Sequence, residues 1–317
     1  MAISISIPVI DISGYLTGDK AATASIASSI SSAAQSPGFF QITGHGVPQE
    51  LTSGMLARVA AFFALPAEKK IALHRNNSPA LRGFETVGEQ TLESGFVDSK
   101  EGFMIGPERS EEGARFLQGP NQWPAETDVE GLKVSMMEYF GEMQNLSKIM
   151  FRLIALGLEL DEKYFDDFVG SKDSITMCRA HRYPPATEEM SKNSRGIGAH
   201  TDFGALTLLL QDKIGGLEVF YRPTETWHIV EPVEGAFVVN IGDMLERWTN
   251  NHYASTLHRV MSPVSNQNRY SVAFFNEGLL DQMIECIPTC LKHGQKPLYE
   301  PVKVEDHLQQ RYGNSYQ

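Results

Sequence analysis

The sequence is short of several things, and each shortage narrows what the chain can be. It has three cysteines in 317 residues, Cys178, Cys286 and Cys290. A small, odd number cannot build a disulfide framework and suits a reducing compartment. Cys286 and Cys290 stand four apart, but Ile287-Pro288 falls between them, which favours ordinary free thiols over a metal pair. No apolar run approaches the length that crosses a bilayer. Met1 to Ile12 has no basic residue ahead of an apolar core, so no signal peptide is expected there, and the expected location is cytoplasmic. Positive charge is also scarce: 27 Lys and Arg face 39 Asp and Glu, a net charge of −12. That balance argues against sequence-independent nucleic-acid binding and against docking on anionic membranes. An anionic small molecule stays admissible, because Arg179, Arg182, Arg195 and Arg269 could make a local positive pocket.

What is present is enough for a sizeable core, with 42% hydrophobic and 21% charged residues. Alternation of Ile and Ser predicts a strand over Ile3–Ile10. Helical spacing follows over Thr23–Gln35 and Gln49–Leu65, with a short strand, Phe39–Ile42, between them. Pro66 is placed to open another helix. Residues 76–123 have no sustained period. Thr127-Asp128-Val129-Glu130 fits a capping box ahead of a long helix reaching Leu156–Gly157. Its expected core stripe is Val134, Met137, Phe140, Met143, Leu146, Met150 and Leu153.

From Ser174 the texture changes to short apolar runs divided by Gly, Pro, Asn and Asp. Strands are expected at Ile175–Tyr183, Ala199–Thr201, Leu206–Gln211, Leu217–Tyr221, Trp227–Ile229, Ala236–Ile241, His258–Met261 and Tyr270–Phe275. Many short strands at that spacing indicate an antiparallel sandwich or jelly roll. Val304–Arg311 returns to helix. The expected organisation is one domain, 1–317, in four parts. Residues 1–125 form an N-terminal region with loops at the site mouth, 126–173 a supporting helix and a following helical segment, 174–285 the catalytic core, and 286–317 a C-terminal segment with a helix.

Three residues stand out chemically. His200 and Asp202 are two apart, so on an extended strand both side chains leave the same face. A second histidine, His258, lies in Leu257-His258-Arg259-Val260. Two His and one carboxylate make the facial triad of non-haem Fe(II) oxygenases, which leaves three coordination positions open. Arg269-Tyr270-Ser271 then puts a cation and a hydroxyl on one strand face, suited to the far carboxylate of a dicarboxylic acid.

That order of motifs resembles the isopenicillin-N-synthase-like branch of the Fe(II)/2-oxoglutarate-dependent oxygenases. The resemblance covers nearly the whole chain. It includes Pro8-Val9-Ile10-Asp11, Gly38-Phe39-Phe40, Gly44-His45-Gly46-Val47-Pro48, Tyr183-Pro184-Pro185 and Val239-Asn240-Ile241-Gly242-Asp243. It implies a mainly β fold with flanking helices around a double-stranded β-helix (jelly roll, cupin-like) core, and substrate-specific contacts from residues 76–123. It also implies Fe(II) on His200, Asp202 and His258, with 2-oxoglutarate as cosubstrate reaching Arg269, Ser271 and Tyr183. O2 would complete the reaction, and succinate and CO2 would leave. The expected substrate is a small organic molecule of primary or secondary metabolism, hydroxylated, desaturated or cyclised at an unactivated C–H. Two alternatives stay open. One is an oxidase of isopenicillin-N-synthase type, which takes all electrons from its substrate and uses the Arg-x-Ser pair to hold it. The other is a non-catalytic jelly-roll binding protein. His45 and His228 read as structural or solvent-facing. His181 shares the Tyr183 strand face and stands where many relatives, especially plant ones, carry Asn, so its role is left open.

Overall fold

The computed structural model describes residues 6–264, 266–291 and 294–315. Two β-sheets carry the site. The strands used below are β1 (Val9–Asp11), β2 (Phe39–Thr43), β3 (Gly83–Glu85), β4 (Glu101–Ile105), β5 (Ser174–Tyr183) and β6 (Ile197–His200). They continue with β7 (Leu206–Gln211), β8 (Leu217–Tyr221), β9 (Thr226–Ile229), β10 (Phe237–Ile241), β11 (His258–Val260) and β12 (Arg269–Leu279). The larger sheet has the order β1-β2-β10-β7-β12-β5-β4-β3, and the smaller has β9-β8-β11-β6. All neighbours are antiparallel except β1 and β2, which run parallel. The interleaved order is that of a jelly roll.

Side-chain parity decides what each face of the larger sheet does. On β12, Val272 and Phe274 join the main core, while Arg269, Ser271, Ala273 and Phe275 face a cavity between the sheets. On β5, Cys178 and Ala180 face the core, and Arg179, His181 and Tyr183 face the cavity. On β7 and β10, Leu208 and Val239 face the core, and Thr207, Leu209 and Asn240 face the cavity. A second apolar cluster between the sheets includes Phe39, Tyr183, Ile197, Leu217, Val219 and Val260.

Helices cover the core face: α1 (Lys20–Gln35), α2 (Gln49–Phe63), α3 (Leu132–Gly157) and α4 (Val304–Ser315). Asp19 caps α1 by accepting from the backbone N–H groups of Ala21 and Ala22 at 2.9 and 3.1 Å. The long helix α3 buries Met136, Phe140, Met143, Ser147, Met150, Phe151 and Ile154. Phe140 meets Phe274 of β12 with ring centroids 5.5 Å apart. Each such apolar side chain contributes about 1.5–3 kcal/mol on burial.

Three local expectations fail for physical reasons. The Ile3–Ile10 alternation becomes a strand only from Val9, because Pro8 has no N–H for a ladder; residues 1–5 lie outside the described residues. The Thr127–Glu130 capping box does not cap α3, since the chain turns there and enters the helix through Gly131 in the left-handed region at φ 68°. The N–H of Gly131 is satisfied instead by Glu126 at 2.7 Å, and Asp128 pairs with Lys69. Starting the helix at Leu132 also turns Val134 to solvent, 69% exposed.

Candidate metal centre and its cavity

His200 ends β6, and His258 begins β11 directly opposite it. The two imidazoles therefore form a cross-strand pair, with ring centroids 4.3 Å apart. Asp202 lies two residues beyond the end of β6, in a turn rather than on the strand. Its carbonyl accepts from the N–H of Asp243 at 2.8 Å, which fixes that turn. The Asp202 Oδ1 atom comes within 3.7 Å of the Nε2 atom of each histidine. One ligand atom from each of the three residues lies within 4.8 Å of the others.

The hydrogen bonds around these groups point the right atoms inward. Nδ1 of His200 faces the Gly198 carbonyl at 2.8 Å, and Nδ1 of His258 faces the Thr256 carbonyl at 3.0 Å. A carbonyl accepts only, so each Nδ1 carries the proton and each Nε2 offers a lone pair to a cation. Asp202 Oδ2 accepts from Thr207 Oγ1 at 2.5 Å and from Asn240 Nδ2 at 2.6 Å, which leaves Oδ1 turned toward the two imidazoles. Burial and the adjacent His258 hold His200 below the usual histidine range, so it stays neutral. Burial opposes ionisation of Asp202, but the two imidazoles and the Asn240 and Thr207 hydrogen bonds outweigh it and keep the carboxyl below its usual range. Two imidazoles and one carboxylate are the donor set that Fe(II) takes.

The cavity has two lobes that meet at His181, Ile197, His200, Asp202 and Phe275. One lobe, about 60 Å³, ends at Arg269, Ser271 and Tyr183. Arg269 is fully buried, and its Nη2 donates to Gln211 Oε1 at 2.9 Å. Its Nε and Nη1 meet no acceptor among the described residues. Tyr183 lies under the guanidinium, 4.7 Å from ring centroid to Cζ, with its hydroxyl 3.5 Å from Ser271 Oγ. A buried guanidinium with two open donor positions, beside two hydroxyls, fits a carboxylate. The other lobe, about 70 Å³, is bounded by Gln90, Leu92, Met104, Arg179, Phe203, Glu277 and Tyr312 among others.

Of the residues picked from sequence, six converge here: His200, Asp202, His258, Arg269, Ser271 and Tyr183. The four arginines do not form one positive pocket. Arg179 is tied to Glu85, Arg182 to Glu101 at 2.8 Å, and Arg195 lies over the Phe96 ring near Glu93. His181 lines both lobes, with Nε2 unpartnered among the described residues. Burial, then the charges of Arg179, Lys100 and Arg269, keep it neutral, well below the usual range. His45 is structural: its Nε2 meets the Gly235 carbonyl at 2.8 Å and its Nδ1 takes the Val47 N–H at 3.1 Å. From residues 76–123, Gln90, Leu92 and Met104 reach the cavity, while Arg82, Phe84 and Phe103 are buried away from it. Gln90, Leu92, Phe203, Glu277 and Tyr312 were not foreseen. Only Glu277 had a usable signal: it continues the period-two face of Arg269 and Ser271.

Comparison with known proteins decides the family. The sequence profile of the 2OG-Fe(II) oxygenase superfamily matches residues 173–278, and that of the non-haem dioxygenase in morphine synthesis N-terminal region matches residues 7–126. The 2-oxoglutarate-Fe(II) type oxidoreductase hxnY of Emericella nidulans is 39% identical, covering 98% of this chain and 90% of its own length. The chain belongs to the Fe(II)/2-oxoglutarate-dependent oxygenases. Clavatol oxidase claD of Penicillium crustosum is 36% identical over 99% of this chain and 97% of its own. Among solved structures, a full-length Neurospora crassa protein in complex with α-ketoglutarate (2-oxoglutarate) superposes with a TM-score of 0.89. It is 32% identical and covers 99% of this chain and 98% of its own. The same protein has been crystallised with α-ketoglutarate and thymine (TM-score 0.88, 30% identity, 99% and 98% covered). The oxygenase is thus a dioxygenase that uses Fe(II) and 2-oxoglutarate on a small molecule; the oxidase of isopenicillin-N-synthase type is the reading these relatives do not support. No helix among the described residues is long and apolar enough to cross a membrane.

Proposed function

We propose that His200, Asp202 and His258 hold the iron, and that Arg269, Ser271 and Tyr183 hold the far carboxylate of 2-oxoglutarate. The observation that carries this reading is the pair of open donors on fully buried Arg269, at the end of a cavity whose other boundary is the three-ligand cluster. A buried cation left without an anion is costly, so a site that keeps one is built for an anionic ligand. When bound, Fe(II) supplies O2 activation coupled to decarboxylation of 2-oxoglutarate to succinate and CO2, with oxidation of a substrate C–H. The protein residues do the rest. Arg269 sets the orientation of the cosubstrate through a charge-assisted contact, and Ser271 and Tyr183 add hydroxyls to the same carboxylate. Leu209, Leu217, Ile197 and Val260 give that lobe apolar walls, which exclude water and strengthen the contact.

The substrate occupies the second lobe, within reach of the ligand cluster through His200 and Asp202. Relatives named for clavatol, or crystallised with thymine, support a small organic substrate. The chain is read as one domain, because strands at residues 9–43, 83–105 and 174–279 share one sheet. The test is succinate release at varied 2-oxoglutarate. Arg269→Ala is expected to raise the 2-oxoglutarate requirement steeply, and an unchanged requirement would reassign Arg269 to substrate binding.

A further inference from the structure

Strand β12 presents one residue in two to the cavity: Arg269, Ser271, Ala273 and Phe275, then Glu277 beside the bulge at Asn276–Gly278. The strand thus begins at a buried cation and ends at a buried acid. Glu277 is 2% exposed, and its Oε2 meets no hydrogen-bond donor among the described residues. The backbone makes room for it: a Cβ on Gly204 would sit 2.2 Å from that oxygen, so only glycine lets the carboxyl lie there. Among the described residues, no cationic group offsets its burial. The arginine that lines the lobe, Arg179, is already tied to Glu85 and to Gln90 Oε1. The neighbouring charges, Asp202 and Asp243, are negative and reinforce what burial does, which is to push the Glu277 carboxyl up to about 8. A buried carboxyl kept without a donor costs stability unless a ligand supplies one.

We propose that Glu277 is the specificity-determining residue of the substrate lobe, accepting a hydrogen bond from an N–H or O–H donor on a small, ring-sized substrate. This deepens the proposed function and rests on its division of the cavity into two lobes. The size follows from volume: the substrate lobe, about 70 Å³, is close to the lobe of about 60 Å³ assigned to 2-oxoglutarate. The substrate is therefore of similar bulk. The apolar groups Leu92, Met104, Ile197, Phe203 and Phe275 suit the faces of a ring, and Glu277 fixes which edge is turned away from the metal. Glu277 is a binding and positioning group in this scheme: it accepts through a carboxyl oxygen and takes no part in proton transfer.

Two isosteric fragment pairs test it on protein loaded with Zn(II), a redox-silent stand-in, and 2-oxoglutarate. Pyrrole against furan reads an N–H donor, and phenol against toluene reads an O–H donor. Affinities come from ligand-observed NMR titration. In at least one pair the donor-bearing member is expected to bind about tenfold tighter or more than its partner, and the pair that discriminates names the donor. Glu277→Leu should bring that ratio to about one, whereas Glu277→Gln, which keeps an acceptor oxygen, should preserve a preference. Equal binding within both pairs, a preference that survives in Glu277→Leu, or no binding of any fragment at tens of millimolar would each overturn the proposal. Binding of 2-oxoglutarate is read in the same samples. If it persists in wild type and variants, the fold and the oxygenase site are intact, and lost discrimination then bears on Glu277 alone. If the wild type binds no 2-oxoglutarate, the proposed function fails and this inference fails with it.

Discussion

The two ends of β12 face the same cavity with opposite chemistry, and the contrast is instructive. At one end Arg269 is fully buried with two donors open, next to Ser271 and Tyr183. At the other, Glu277 is 2% exposed with an acceptor open, next to apolar side chains. Each buried group costs stability without a partner, and each suits a ligand of complementary chemistry. The cation end is written as a compact motif, Arg-x-Ser, and is framed by a tyrosine paired to it across the strand. The acid end has no motif, since its neighbours come from residues 90–104, 203 and 312, brought together only by the fold. A cosubstrate shared by a family can be held by a local pattern; a particular substrate is met by long-range assembly.

The largest effect should come from the point where the two ends meet. His200→Ala or His258→Ala is expected to abolish Fe(II)-dependent succinate release, and retained turnover would remove that residue from the metal centre. Next is the cation end: Arg269→Ala should lower kcat/KM for 2-oxoglutarate by roughly a hundredfold or more, as loss of one partner of a buried charged pair does. A smaller change is expected from Asn240→Ala, which frees Asp202 Oδ2 from its 2.6 Å hydrogen bond. Metal affinity should fall by about 10- to 100-fold, measured by equilibrium titration with kcat at saturating iron largely kept. Tyr183→Phe should cost least, a few-fold in 2-oxoglutarate affinity, because one hydroxyl is worth about 0.5–1.5 kcal/mol.

The acid end also predicts a pH dependence of the metal-free protein. Glu277 is raised from 4.5 to about 8 on folding, by burial first and then by Asp202 and Asp243. The folded state then holds this proton more tightly than the unfolded state. Its stability penalty is absent below 4.5 and grows as pH rises through that window to about 8. Urea unfolding of Glu277→Gln and wild type should therefore diverge in the variant's favour as pH rises, and a pH-independent difference would show that the carboxyl finds a partner.

How far the sequence could be read follows the same division. The candidate ligands His200, Asp202 and His258, and the proposed Arg269, Ser271 and Tyr183 set, could be picked from sequence because each sits on or beside a strand with a recognisable neighbour pattern. The core strands were legible from apolar runs, with β12 proving longer than the expected Tyr270–Phe275. Glu277 was lost at that point: it lies beyond the expected strand end, past Asn276, where the ladder shifts register. The Thr127–Glu130 capping pattern misled because the tertiary pair Lys69–Asp128 and the turn at Gly131 compete for the same residues. The residues 76–123 that reach the cavity depend on how loops close over it, which no local period records.

The central claim, that the His200, Asp202 and His258 centre and the Arg269 lobe together bind one chelating keto acid, is tested most directly by anaerobic titration. Apo-protein receives Fe(II) and then 2-oxoglutarate while visible absorption is followed. Bidentate chelation at the iron predicts a charge-transfer band that appears only when both are present and that Arg269→Ala shifts to higher 2-oxoglutarate concentration. Iron binding with no such band would contradict the claim and turn the search to substrates that ligate the metal themselves.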